Sequence, residues 1–261
     1  MTLASPFGLG WRPDLPDHRD YAALEPHVPA IPKAVDLSEF AGPVLDQGQL
    51  GSCTAHGVAG VLEWLDRKTG KPVDMVSRLY QYYNTRAMEG TIQSDSGGTI
   101  RDAVKAAATW GECPERLWPY DIQKFATEPP ALCYRAASRD VALRYWRVRT
   151  TPFPGAQCMA AGFPVVFGFV VYESFMDIGA DGIASMPEPG ERQAGGHCVW
   201  TLGYDLGTRL VRCRNSWSSS WGDGGDFFLP IEYVANPQLA SDFWTIRKTG
   251  PRPSHEQLQG A

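Results

Sequence analysis

The periodicity of the apolar residues changes once along this chain of 261 residues, and that change limits the folds open to it. Up to about residue 120 the pattern is helical. Ala55, Val58, Ala59, Leu62 and Leu65 fall on one helix face within residues 53–68, with Ser52 as the N-cap and Gly70 and Pro72 as the stop. A second helix is expected from Ser77 to about Arg86. A third, rich in Ala, is expected from Thr99 to Trp110, after the turn Asp95-Ser96-Gly97-Gly98. Beyond about residue 140 the pattern is that of strands: Val141–Arg149, Val165–Val171, His197–Tyr204, Arg209–Arg214 and Asp226–Leu229. Asp205-Leu206-Gly207-Thr208 supplies a hairpin turn between two of them. Helices first and strands second predict an α+β fold, with a helical half over about 45–125 and a β half over about 140–250. A cleft between the halves is where an active site is expected.

The flanks read differently. Residues 1–34 form an irregular arm, because Pro13, Pro16, Pro26, Pro29 and Pro32 interrupt any helix. Its Phe7, Leu9, Trp11, Leu15 and Tyr21 favour docking on the body, residues 35–250, over full disorder. Residues 251–261 are polar and expected to fray.

Composition excludes several classes of function. A net charge of −5 leaves no basic surplus to neutralise phosphates, so no nucleic-acid partner is expected. No apolar run approaches the ~20 residues of a membrane span. Residues Met1 to Trp11 lack the basic and apolar regions of a secretory signal, so cytoplasmic residence is the default, with export by a signal-less route left open. A monomer is the default oligomeric state. The six cysteines, Cys53, Cys113, Cys133, Cys158, Cys198 and Cys213, include no CxxC pair, so neither zinc nor any other cofactor is expected. Most are read as buried free thiols, with one Cys113–Cys133 bridge left open.

Three distant segments carry chemistry when taken together. Cys53 opens the first helix, where the positive dipole end and a histidine could both favour a thiolate. Among the five histidines, His56 is one turn along the same helix and reads as packed or hydrogen-bonded. His18 and His27 lie in the arm, and His255 in the tail. His197, beginning a strand after Gly195-Gly196, is the candidate base. Asn215 closes the strand after the hairpin. A ladder with residue 197 opposite 215 brings its amide oxygen to the imidazole, where it fixes the tautomer. Gln47, on the loop entering the helix, is a candidate oxyanion donor alongside the Cys53 N–H.

These residues resemble the papain-like cysteine peptidases. Gln47-Gly48-Gln49-Leu50-Gly51-Ser52-Cys53 is similar to the family's oxyanion glutamine and nucleophile. His197 follows Cys53 at a separation within the expected ~130–150 residues, and Asn215-Ser216-Trp217 is similar to the orienting Asn and its shielding Trp. Ser96-Gly97-Gly98 resembles the segment that pairs with substrate backbone. Leu117-Trp118-Pro119-Tyr120 resembles a Tyr-Pro-Tyr landmark. The resemblance implies a papain-like fold with a β-barrel-like second half, catalytic Cys53, His197, Asn215 and Gln47, and substrate-binding Gly97, Gly98, Cys198 and Trp217.

The chain departs from the family pattern at four places. Leu50 and Ser96 replace the residues of a family disulfide, Thr54 replaces an aromatic, and Gly196 replaces an acidic residue. Only the arm stands where a long helical propeptide is usual. These departures suit a bacterial-type member working in a reducing compartment.

The resemblance implies a cysteine endopeptidase that acts on peptide or protein substrates through a Cys53 acyl-enzyme. The arm from Phe7 to Tyr21 is a candidate built-in inhibitor. The alternatives are acyl transfer to an amine on the same machinery, and a peptide-binding module without turnover.

Overall fold

The computed structural model describes residues 7–20, 30–138, 143–148 and 152–248. The expected fraying of the tail, the last arm residues from Tyr21 to Pro29 and Val141 of the first expected strand lie outside them. The chain enters the body through the short strand β1 (Ala34–Asp36) and reaches α1 (Cys53–Lys68), α2 (Arg78–Glu89), α3 (Ile100–Trp110) and α4 (Ala131–Ala137). It continues as β2 (Leu143–Arg147), α5 (Ala156–Ala160), β3 (Val165–Tyr172), α6 (Glu173–Met176) and β4 (Gln193–Asp205). β5 (Leu210–Arg214), β6 (Asp226–Pro230), α7 (Ile231–Ala235) and β7 (Ala240–Lys248) complete it. The fold is α+β, as expected.

All seven strands join one antiparallel sheet, in the order β2-β7-β3-β4-β5-β6, with β1 pairing on β4. β7 inserts between β2 and β3, so the last strand stitches the second half together. Ser77 and Thr99 cap α2 and α3 by accepting the N–H of Tyr80 and Asp102. Ser52 occupies the N-cap position of α1 without making that bond; its hydroxyl is engaged elsewhere.

α1 is buried along nearly its whole length, Cys53 through Asp66 apart from Gly60. A helix in this position shows little one-sided patterning, because it is covered on every side. Its Val58, Val61 and Leu62 share one core with Ile100 and Val104 of α3 and with Val166, Phe167 and Leu202 of the sheet. The two halves are therefore joined across α1 rather than segregated. Gly60 permits this approach: a Cβ there would lie 2.6 Å from the Trp200 indole nitrogen on β4.

One expectation is corrected. The β4–β5 ladder places Trp200 opposite Arg214 and Thr201 opposite Cys213, then shifts through a bulge, so residue 197 is not opposite 215. All six cysteines are free and buried, so Cys113 and Cys133 are unbridged. Their thiols lie together in a small apolar cluster with Tyr80 and Ala137. No helix among the described residues is long and apolar enough to cross a membrane.

Candidate active site

Cys53 is the first residue of α1, wholly buried, with its thiol against the backbone amides of Cys198 and Gly10. β4 places His197 immediately before Cys198. The imidazole is also wholly buried, between Phe169, at 5.8 Å, and Trp217, on which it stacks at 4.5 Å. Trp221, Phe175 and Phe227 close round Trp217 and keep water from the imidazole.

Despite the altered register, Asn215 Oδ1 lies 2.7 Å from His197 Nε2. The same oxygen accepts the Ser216 N–H at 2.8 Å, which fixes the amide orientation. Nε2 is therefore the protonated nitrogen. Nδ1 is left as the free base: it is buried and makes no hydrogen bond. The chain end of β5 turns Asn215 toward the imidazole by a route that a flat ladder does not foresee.

Gln47 is wholly buried, not solvated. Its Oε1 accepts the Ser216 hydroxyl at 2.6 Å, so its NH2 must point the other way. That NH2 donates to the carbonyls of Gly8 and Leu50, both at 2.8 Å. Tyr120 ties the loop down: its hydroxyl donates to the Gln47 carbonyl at 2.9 Å and accepts from the Ser52 hydroxyl at 2.6 Å. His56 donates from Nδ1 to the Ser52 carbonyl at 3.1 Å, and burial holds its pKa down to about 3. It is a neutral, packed residue.

Residues 7–12 of the arm lie in this cleft. The Phe7 ring stacks on Trp217 at 4.3 Å, and Gly8 N–H donates to the Gly48 carbonyl at 2.9 Å. Trp11 N–H donates to the Gly196 carbonyl at 3.1 Å. Gly98 N–H donates to the Gly10 carbonyl at 2.8 Å, and Arg12 N–H to the Gly98 carbonyl at 3.1 Å. The Trp11–Gly98 pairing is thus a parallel bridge. Trp11 is 7 % exposed and fills a slot in front of β3. Gly168 makes the slot: a Cβ there would fall 2.0 Å from the indole ring. The glycine inside an otherwise bulky strand was a legible sign of such close approach.

The four substrate-binding candidates divide. Gly98 pairs with the arm backbone and Trp217 carries its Phe7 ring. Gly97 presses against Gly10, but its N–H is directed to the Tyr82 hydroxyl at 3.1 Å. Cys198 turns its sulfur toward Gly57 of α1. Ser216 and Tyr120, which orient Gln47, were not foreseen as site residues. Both stand in segments the family resemblance had marked, but their contacts with Gln47 run across large sequence distances and are not legible locally.

With the arm in place burial governs the titration of both Cys53 and His197. It pushes the Cys53 thiol up to about 11, against backbone hydrogen bonds that lower it. It pulls His197 down to about 4, against the Asn215 hydrogen bond that raises it. A dry, closed site favours the neutral thiol and neutral imidazole.

A family model described as papain family cysteine protease matches residues 31–231. An uncharacterized peptidase C1-like protein of Acanthamoeba polyphaga mimivirus is 40 % identical over 215 residues, covering 78 % of this chain and 69 % of that protein. Mouse cathepsin K is 27 % identical over 236 residues, with the chain spanning 64 % of its length. Among solved structures, xylellain, a cysteine protease from Xylella fastidiosa, superposes with a TM-score of 0.87 at 35 % identity, covering 95 % of this chain and 99 % of that one. The digestive procathepsin L 3 of Tenebrio molitor shares the fold, with a TM-score of 0.67 at 17 % identity. The chain belongs to the papain family of cysteine proteases, hydrolases of peptide bonds.

Proposed function

We propose that this chain is a cysteine endopeptidase held latent by its own N-terminal arm. Cys53 is the nucleophile. His197 takes the thiol proton on Nδ1 and later delivers it to the leaving amine, and Asn215 holds Nε2–H so that Nδ1 stays the basic nitrogen. The Gln47 amide and the Cys53 N–H receive the oxyanion of the tetrahedral intermediate. Attack releases the amine and leaves a Cys53 thioester, which water then cleaves to the acid.

The observation that carries the reading is the position of the arm on this machinery. The Gly8 carbonyl occupies the Gln47 donor, while the amide next to the thiol is that of Gly10. The arm therefore takes the donor that a substrate oxyanion needs and lies against the nucleophile, which blocks the cleft. The six buried free thiols favour a reducing compartment, testable by thiol counting on native protein.

The test is turnover of a small internally quenched peptide by wild type and by Trp11→Ala, with Cys53→Ala as the blank. Turnover that rises on Trp11→Ala and vanishes on Cys53→Ala supports both parts. Turnover retained by Cys53→Ala would remove the catalytic assignment.

A further inference from the structure

Beyond Trp11 the arm leaves the cleft and crosses onto α3, β2 and β7. There Arg101, in the first turn of α3, is nine-tenths buried and gives its side-chain hydrogen bonds to the arm. Nε and Nη2 grip the two oxygens of Asp20 at 2.9 and 2.6 Å, and Nη2 also reaches the Leu15 carbonyl at 2.6 Å. Its backbone N–H donates to Asp14 Oδ1 at 3.1 Å, and the Trp244 indole donates to Asp14 Oδ2 at 2.8 Å. Arg147 on β2 meets Asp20 at 3.0 Å and also pairs with Asp242 on β7. Lys105, one turn along α3, lines the edge of the same surface together with Asp17 and Asp20.

The two sides are complementary in charge. The body offers Arg101, Arg147 and Lys105 against one carboxylate, Asp242. The arm offers Asp14, Asp17 and Asp20 against two cations already paired elsewhere, Arg19 to Asp17 and Arg12 to Glu89 of α2. When the arm leaves, Arg101 loses both its side-chain acceptors and exchanges them for water. A forked guanidinium flanked by an indole N–H and a backbone N–H fits a carboxylate.

We infer that this surface is a receptor for acidic peptide chains, an exosite that the arm imitates with Asp14 and Asp20 and that selects substrates bearing acidic residues once the cleft is open. The inference rests on the reading of the arm as a removable block. A substrate that reaches from Cys53 past the Trp11 slot and carries a carboxylate at this distance re-forms the two-bond grip. Its neutral counterpart leaves Arg101 unpaired.

The test uses the full chain carrying Trp11→Ala and Asp20→Asn, which weakens the arm at the slot and removes the carboxylate from Arg101. Three fluorescent peptides are compared by anisotropy at low salt: one with the sequence of residues 13–20, one with its aspartates replaced by asparagine, and a Gly/Ser peptide with aspartates at the same spacing. Both acidic peptides should bind at least about tenfold tighter than the asparagine peptide, with affinity falling as salt rises. Adding Arg101→Gln should erase the difference, and Arg101→Lys should keep only part of it, since the charge remains without the fork. A thermal melt of each variant confirms that it is folded. Equal binding of acidic and neutral peptides, or an acidic preference that survives Arg101→Gln in a folded protein, overturns the inference. Turnover of a short neutral substrate reads the block separately. If it fails to rise in Trp11→Ala while acidic peptides bind, the blocking reading fails and the receptor stands; the reverse pattern rejects the receptor alone.

Discussion

Trp11→Ala is the perturbation whose size the structure sets most directly. The indole is 7 % exposed in the slot that Gly168 leaves open, and it belongs to the same core as Val166 and Phe167. Truncating a buried tryptophan to alanine costs about 3–5 kcal/mol. The loss falls on the docked form alone, because in the released form the side chain is in water. If relaxation around the slot recovers a third, about 2–3 kcal/mol remains, a shift of about 30- to 150-fold toward the open form. Under conditions where nearly all molecules are closed, kcat/KM for a small peptide should rise by that factor. Phe7→Ala, which removes only a ring stacked on Trp217, should give a few-fold rise, in keeping with about 0.5–1.5 kcal/mol for such a pair. The assay is initial-rate hydrolysis with active-site titration to count competent enzyme. A kcat/KM for Trp11→Ala within about twofold of wild type, in a protein with an unchanged cooperative melt, would show that the indole does not hold the cleft closed.

Other expectations follow from the same geometry. With the arm docked, Asp14 and Asp242 both sit above the ordinary carboxylate range, Asp242 at about 6. Burial is the first cause for each, and the neighbouring Asp14 charge is the second for Asp242. Groups that hold protons more tightly when docked stabilise docking fully below their released-state pKa, and that stabilisation is lost as pH rises through about 6. The ratio of Trp11→Ala to wild-type turnover should therefore fall between pH 5 and 7, and Asp242→Asn should flatten that fall. Gln47→Ala should lower kcat of the open enzyme by about 10²-fold or more with little change in KM, while Ser216→Ala, which frees Gln47 Oε1, should have a smaller effect of the same kind. Asn215→Ala should lower kcat and shift the acid limb of the pH–rate profile downward, since the hydrogen bond that raises the His197 pKa is gone.

Most of the fold's skeleton was legible because it rests on local signals. α1 begins at Cys53 and ends at Lys68, as Ser52, Gly70 and Pro72 imply, and Ser77 and Thr99 mark the starts of α2 and α3. β7 was missed, although Phe243, Trp244 and Ile246 are buried, because its place between β2 and β3 is a long-range pairing with no local turn to announce it. The site was legible for a different reason: cysteine at a helix start, histidine after two glycines and Asn-Ser-Trp are each tied to a local backbone requirement. The ladder used to bring His197 to Asn215 was wrong, since the hairpin closes on Asp205 opposite Leu210 and sets Trp200, not residue 198, opposite Arg214. The 2.7 Å hydrogen bond forms all the same, because Asn215 lies beyond the end of β5, where the chain turns. Arg101, Arg147 and Asp242 were invisible as a cluster. Ordinary surface chemistry is the natural reading of each alone, and only the fold shows that they converge on the arm.

The central claim is that Cys53 and His197 form a reactive pair masked by the arm, and labelling of Cys53 by a peptidyl epoxide tests it most directly. The reaction is followed by mass spectrometry near pH 6.5, where ordinary thiols are almost entirely protonated. Wild type, Trp11→Ala and Trp11→Ala/His197→Ala are compared. Labelling of wild type should be slow, labelling of Trp11→Ala rapid and single at Cys53, and that rate should be lost when His197 is removed. Cys53 reacting no faster than the other five thiols in Trp11→Ala, or equally fast with and without His197, would contradict the claim.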